Sequence, residues 1–158
     1  MIHFNIDSKY RGSTLKNFME KAAKTTLEKL GNADCELTIA IAGDKQIREL
    51  NKKFRQYDEP TDVLSFPSGT SVNSQSGYLG DIVISQPRAK AQAKAAGHSI
   101  SDEMQLLVVH GILHLLGYNH DEPAEKAKMW AFQDSILREL GIKLDVDRAV
   151  ATHRGSYA

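Results

Sequence analysis

Three histidines lie within eleven residues of this chain, in the run HGILHLLGYNH: His110, His114 and His120. His110 and His114 stand four positions apart, so on a helix they share one face about one turn from each other. Gly117 can end that helix in a left-handed cap, and the turn after it can bring His120 back to the same point. Three imidazoles around one point make an open metal site, with one position left for water or substrate. Neutral imidazoles suit zinc first, then nickel, copper or iron. One ion per chain is expected, and a water held there reaches a pKa of ~7, a usable nucleophile in neutral solution. A lone histidine on an apolar helix is ordinarily a packing residue. Burying one imidazole without a partner costs roughly 1–3 kcal/mol, however, and two double that. A third at the position after a glycine turn favours the metal reading. His3, His98 and His153 have no such company and read as surface or packing residues.

The spacing equals that of the metzincin zinc proteases, H-E-x-x-H-x-x-G-x-x-H. In those enzymes the residue after the first histidine is the glutamate that acts as general base. Here it is Gly111. A zinc peptidase is therefore one reading of the spacing, and a glycine that cannot take a proton argues against it. Histidine ligands need acceptors that fix their tautomers; Asp81, Asp121 and Glu125 are the candidates.

A second polar constellation, NKKFRQYDEPTDVLSFP, spans Asn51–Pro67. Arg55 in it has two readings. It is a cation at a helix C-terminus complementing the macrodipole, or a guanidinium clamp on phosphate. Asp62 is either a turn acceptor or a group that orients Arg55. Ser65 reads as a small strand residue rather than a nucleophile.

These residues need elements to hold them. Ile2–Ile6, Glu36–Ala42, Asp62–Phe66 and Leu79–Ser85 read as strands, the third stopped by Pro67. Ser13 or Thr14 can cap a helix to Leu30, closed by Gly31. Asp44 can cap a short helix through Phe54, with Ile47, Leu50 and Phe54 inward. Ser68–Gly77, rich in Ser, Gly and Asn, reads as a mobile surface loop. A helix follows from about Pro87 to Ala96. Ser101 opens a partial capping box, with Met104 in the place of its acid, for the helix that carries the histidines to Leu116. That helix is apolar on most sides and belongs in the core. A last amphipathic helix covers Pro123–Leu140. The pattern is α+β: a small mixed four-stranded sheet packed with about five helices, the histidines on a zincin-like metal helix. One domain is expected over residues 1–141, with 142–158 a loosely held tail.

Composition sets the wider bounds. Hydrophobic residues make up 41% of the 158 and charged residues 25%, as in a globular domain. Twenty basic and twenty acidic residues cancel. Their distribution is uneven: residues 1–55 hold eleven Lys/Arg against seven Asp/Glu, whereas residues 101–125 hold five acids and no Lys/Arg. An acidic stretch around the histidines suits a cation, and a basic surface beside it suits a polyanion; ordinary solvated charge is the plainer reading. Cys35 is the only cysteine, so no intramolecular disulfide forms, which fits a reducing cytosol. The first residues lack the features of a signal peptide. The longest apolar stretch, LLVVHGILHLL, is too short and too polar to span a membrane.

Taken together, HGILHLLGYNH, the Asn51–Pro67 segment and Leu79-Gly80-Asp81-Ile82, in this order and spacing, resemble the YbeY family of bacterial endoribonucleases, also called rRNA maturation factors. The resemblance runs from about Ile2 to Leu140. It implies a zinc-dependent endoribonuclease specific for single-stranded RNA, cytoplasmic, acting on 16S rRNA of the small ribosomal subunit in 3′-end maturation and ribosome quality control. The family's ligand triad falls on His110, His114 and His120, and its functional arginine falls on Arg55, as an RNA-phosphate or transition-state contact. Arg55 and His114 are thus the residues assigned to catalysis. Two positions depart from the family pattern. Asn119 stands where Asp usually precedes the third histidine, and Gln133 stands four residues after Met129 where a Glu is common. Glu125 matches an acidic position of the last helix. A ribosome-assembly factor with a structural zinc is the other alternative, disfavoured because three histidines without a fourth protein ligand do not close a site. The oligomeric state is left open.

Overall fold

Alternating burial along the strands shows how the sheet is clothed. Over Asp34–Ala42, Cys35, Leu37, Ile39 and Ile41 are buried on one face, while Glu36, Thr38 and Ala40 turn to the other. The computed structural model describes residues 1–12, 14–69 and 76–143. Four strands, β1 (Ile2–Ile6), β2 (Asp34–Ala42), β3 (Val63–Pro67) and β4 (Ser76–Ser85), form one mixed sheet in the order β1-β2-β4-β3. β1, β2 and β4 run parallel, and β3 is an antiparallel edge strand paired with β4. The helices are α1 (Leu15–Lys29), α2 (Asp44–Arg55), α3 (Gln86–Ala96), α4 (Ile100–Leu115) and α5 (Pro123–Glu139). The α+β architecture with five helices and a four-stranded mixed sheet is as expected.

α4 is the core of the molecule: every residue from Glu103 to Leu115 is buried. It packs on the sheet face formed by Ile39, Ile82 and Ile84, with α1, α3 and α5 around it. Among the described elements the opposite face receives α2, through Ile47 against Ala42, Leu64 and Val83. No helix among the described residues is long and apolar enough to cross a membrane.

Several boundaries move, each for a local reason. β2 begins at Asp34 and β4 at Ser76, earlier than Glu36 and Leu79, because their first residues pair with each other across a register shift at Glu36/Leu37. Gly80 beside that shift has φ +139°, and a Cβ there would meet the Phe66 carbonyl oxygen at 2.2 Å; only glycine fits such a site. β3 continues through Pro67, since an edge strand tolerates a residue without N–H. Gly43, not Asp44, occupies the N-cap of α2. The carboxylate of Asp44 instead accepts from the Ser85 hydroxyl at 2.7 Å. Ser99, not Ser101, caps α4, its Oγ accepting from the Asp102 N–H at 3.1 Å. Thr14 stands at the N-cap of α1 without a side-chain cap bond, and Ser13 lies outside the described residues. Phe54 is 55% exposed rather than inward, its ring packed edge-on to Phe66 of the edge strand β3 at 5.4 Å. Ile142 is buried at the core and donates its N–H to the Leu137 carbonyl. Residues 70–75 of the expected loop, and 144–158 of the expected tail with His153, lie outside the described residues.

Candidate metal centre

The C-terminal half of α4 presents His110 and His114 toward α5, and both imidazoles are buried. Their Nε2 atoms face each other at 3.0 Å. α4 then stops. Gly117 adopts φ +95°, and the N–H groups of Gly117 and Tyr118 close back on the carbonyls of His114 and Leu113 at 3.0 Å. The turn returns His120 to the pair, with ring centroids 5.7 Å from His110 and 5.3 Å from His114. One nitrogen from each ring lies within 4.8 Å of the other two. A four-coordinate ion with bonds of roughly 2.0–2.1 Å holds its nitrogens about 3.3 Å apart, so small side-chain rotations bring the cluster onto a cation.

The tautomers follow from the outer hydrogen bonds. Nδ1 of His114 lies 3.0 Å from the Tyr118 carbonyl, which only accepts, so Nδ1 carries the proton. Nδ1 of His110 donates to Gln133 Oε1 at 2.9 Å. Each Nε2 is thereby left as a lone pair, and two lone pairs 3.0 Å apart need a cation between them. That is the chemistry of a metal-binding donor set, and the residues fit the ion.

The outer acceptors are not the expected ones. Asp81 lies on the opposite sheet face, where its carboxylate accepts from the Tyr78 hydroxyl. Asp121 instead donates its N–H to Asn119 Oδ1 at 3.3 Å, so Asn119 shapes the turn. Glu125 lines a shallow hollow with Tyr118 and Lys128. The groups that do the work are a backbone carbonyl and Gln133, a fully buried neutral amide on α5. A carbonyl leaves no mark in a sequence, and Gln133 was visible only as a departure from a family pattern. Trp130 was also missed: its ring stands 5.5 Å from His120 and 6.1 Å from His110.

Gly111 faces the sheet, not the histidines. A Cβ there would meet three atoms of Ile82 at 3.0–3.2 Å. A glutamate at this position would drive a carboxylate into close-packed hydrocarbon, so the peptidase base has no room in this fold. Gly111→Glu is expected to lower stability by about 3 kcal/mol or more, without gain of proteolysis. Thermal melting and casein digestion check both halves of that result.

Arg55 ends α2 and reaches over the β3 edge. Its Nη2 donates to the Ser65 carbonyl at 2.6 Å, and its guanidinium lies 5.7 Å from the centre of the Phe66 ring. Its Nε is buried without a hydrogen-bond partner. Asp62 does not orient it. That carboxylate is a turn acceptor for the Val63 N–H at 2.8 Å and the Thr61 hydroxyl at 3.3 Å. With the Gln92 amide turned so that its nitrogen faces the acids, it bridges Asp62 and the buried Glu103 at 3.2 and 3.0 Å. Ser65 is a tie: its hydroxyl donates to the Gly111 carbonyl at 3.2 Å. Arg55 thus bonds to the residue that fastens β3 to the histidine helix, next to His110. Of the other histidines, His98 is held by Glu103 at 2.5 Å and His3 by Glu36 at 3.3 Å, each in a packing or surface pair.

Fold and site together define an α+β domain whose central helix and following turn build an imidazole cluster able to hold a metal ion. Comparison with known proteins agrees. The family model described as Endoribonuclease YbeY matches residues 2–141. The Endoribonuclease YbeY of Aquifex aeolicus is 50% identical over 128 residues, covering 79% of this chain and 83% of that protein. That of a Sulfurihydrogenibium species is 41% identical over 136 residues, covering 85% and 90%. The solution structure of TM1509 from Thermotoga maritima superposes with a TM-score of 0.65 at 28% identity, over 89% of each chain. The chain belongs to the YbeY endoribonuclease family, and is an enzyme of the hydrolase class.

Proposed function

We propose that this protein is a zinc-dependent endoribonuclease that cuts single-stranded RNA in the cytoplasm. Its substrate is 16S rRNA of the small ribosomal subunit, in 3′-end maturation and in ribosome quality control. The observation that carries the reading is the pair of Nε2 lone pairs aimed at one point, with His120 beside them and the Arg55 guanidinium, from the end of α2, held on the adjoining strand β3.

His110, His114 and His120 would hold the ion. When bound, zinc supplies Lewis acidity to a phosphoryl oxygen and lowers the pKa of water toward about 7. Arg55 places its fork against the phosphate and neutralises charge as it develops on the non-bridging oxygens. The Ser65 carbonyl and the Phe66 ring hold that guanidinium in place before substrate arrives. Incubation with a single-stranded rRNA fragment and with casein, each with and without chelator, tests the reading. Cleavage of RNA alone, lost with chelator and restored by zinc, is expected; casein digestion would overturn it.

Gln133 positions His110, and its removal should be felt first in metal affinity. Gln133→Leu is expected to weaken zinc binding by roughly 10–100-fold, with Gln133→Glu retaining it. Chelator competition measures the constant. Trp130, the only tryptophan, lies against His110 and His120 and gives a fluorescence readout.

A further inference from the structure

α2 covers only part of the sheet face turned away from α4. Beside it the strands leave a groove of about 590 Å³. Its floor carries Thr38 and Asp81, its wall Phe54 and Phe66, and Asp7 stands at its far end. The floor is a built hydrogen-bond chain. The Thr38 hydroxyl meets that of Tyr78 at 2.5 Å, and the Tyr78 hydroxyl donates to Asp81 Oδ1. Burial, then the neighbouring Asp81 carboxylate, holds the Tyr78 hydroxyl above its usual range, so it remains a donor at neutral pH. Asp81 Oδ2 is left to accept from a ligand.

The wall has the opposite character. Phe54 is 55% exposed and packs edge-on to Phe66 at 5.4 Å. Lys53 lies 5.2 Å from the Phe54 ring centre, and Arg55 lies 5.7 Å from that of Phe66. The carboxylates of Asp7 and Asp81 exclude an anion from the floor, while the rim is cationic. A fitting ligand is flat and aromatic, has N–H donors on its edge, and carries negative charge at the other end. A nucleotide has that polarity. The groove and the histidine helix lie on opposite faces of the sheet and share the edge strand β3. On β3, Phe66 faces the groove and Leu64 is buried under α2, Val63 and Ser65 face α4, and Arg55 is held on the Ser65 carbonyl between the two faces.

We propose that this groove is a base-binding subsite for single-stranded RNA, one base stacked on Phe54 with its edge toward Asp81, and the adjoining phosphate on Lys53 and Arg55. The proposal rests on the endoribonuclease reading. Stacking on an exposed aromatic tolerates every base, whereas a carboxylate acceptor selects bases that carry an amino group. Adenine, cytosine and guanine, which carry one, are therefore preferred in the groove to uracil, whose edge offers only its N3–H.

The test is fluorescence anisotropy with metal-free protein, so that RNA stays intact, and labelled oligo(A), oligo(C) and oligo(U) of equal length. Wild type should bind oligo(A) and oligo(C) more tightly than oligo(U). Phe54→Ala should weaken all three by about tenfold, Phe54→Trp should restore them, and melting should shift only slightly because the ring is more than half exposed and packs only edge-on to Phe66. Asp81→Asn should flatten the preference over oligo(U). If both variants bind all three as wild type does, the subsite is overturned and the groove is left to a protein segment. Zinc-dependent RNA cleavage by wild type, with an unchanged KM in both variants, overturns the subsite alone. If wild type neither binds nor cleaves RNA, the endoribonuclease reading fails and the subsite with it.

Discussion

His114→Ala should lower RNA cleavage by roughly a thousandfold, because it would remove one of the three proposed ligands and with it a term worth several kcal/mol in the transition state. The metal-free protein should melt close to wild type. Deleting a buried imidazole leaves a small cavity and frees the Tyr118 carbonyl. It also removes one of two lone pairs that face each other at 3.0 Å, which relieves the metal-free state. The separation therefore appears on adding zinc. Wild type gains about 2.7 kcal/mol at a hundred times the dissociation constant, and His114→Ala gains far less. Calorimetry with and without zinc, beside a cleavage assay, reads both quantities. Chelator-sensitive cleavage that survives in His114→Ala would sink the assignment. Unfolding of wild type on metal removal would instead make the ion structural.

Arg55→Ala should cost about 10²–10³ in the rate of single-turnover cleavage at saturating enzyme, the range seen when one preorganised donor to a developing oxyanion is lost. Arg55→Lys should recover little of it, since an ammonium lacks the planar fork that holds the Ser65 carbonyl and still presents donors to phosphate. Stability should change by only about 1 kcal/mol, the worth of one hydrogen bond at a partly exposed site. Saturating enzyme separates chemistry from binding. An unchanged rate under those conditions would remove Arg55 from the mechanism and leave it as a helix-end cation.

The histidine cluster was legible because it is local. The i, i+4 spacing and Gly117 lie in one helix and its cap, and periodicity of 3.6 with one left-handed glycine fixes their faces without help from the rest of the chain. The strands were legible from alternation, and the depth of α4 from its all-round apolarity. The sequence by itself thus determined the fold class, the three imidazoles and the element that carries them. Tertiary structure decided what lies between distant segments. It placed Gln133 of α5 on His110, and sent Asp81 to the far face of the sheet. It turned Gly111 onto Ile82, which converts a missing protease base into a packing requirement. It also left Phe54 exposed on a groove that α2 does not cover. Each of those outcomes depends on which elements pack together and at what distance. That is set by the close packing of the whole core, and no window of sequence contains it.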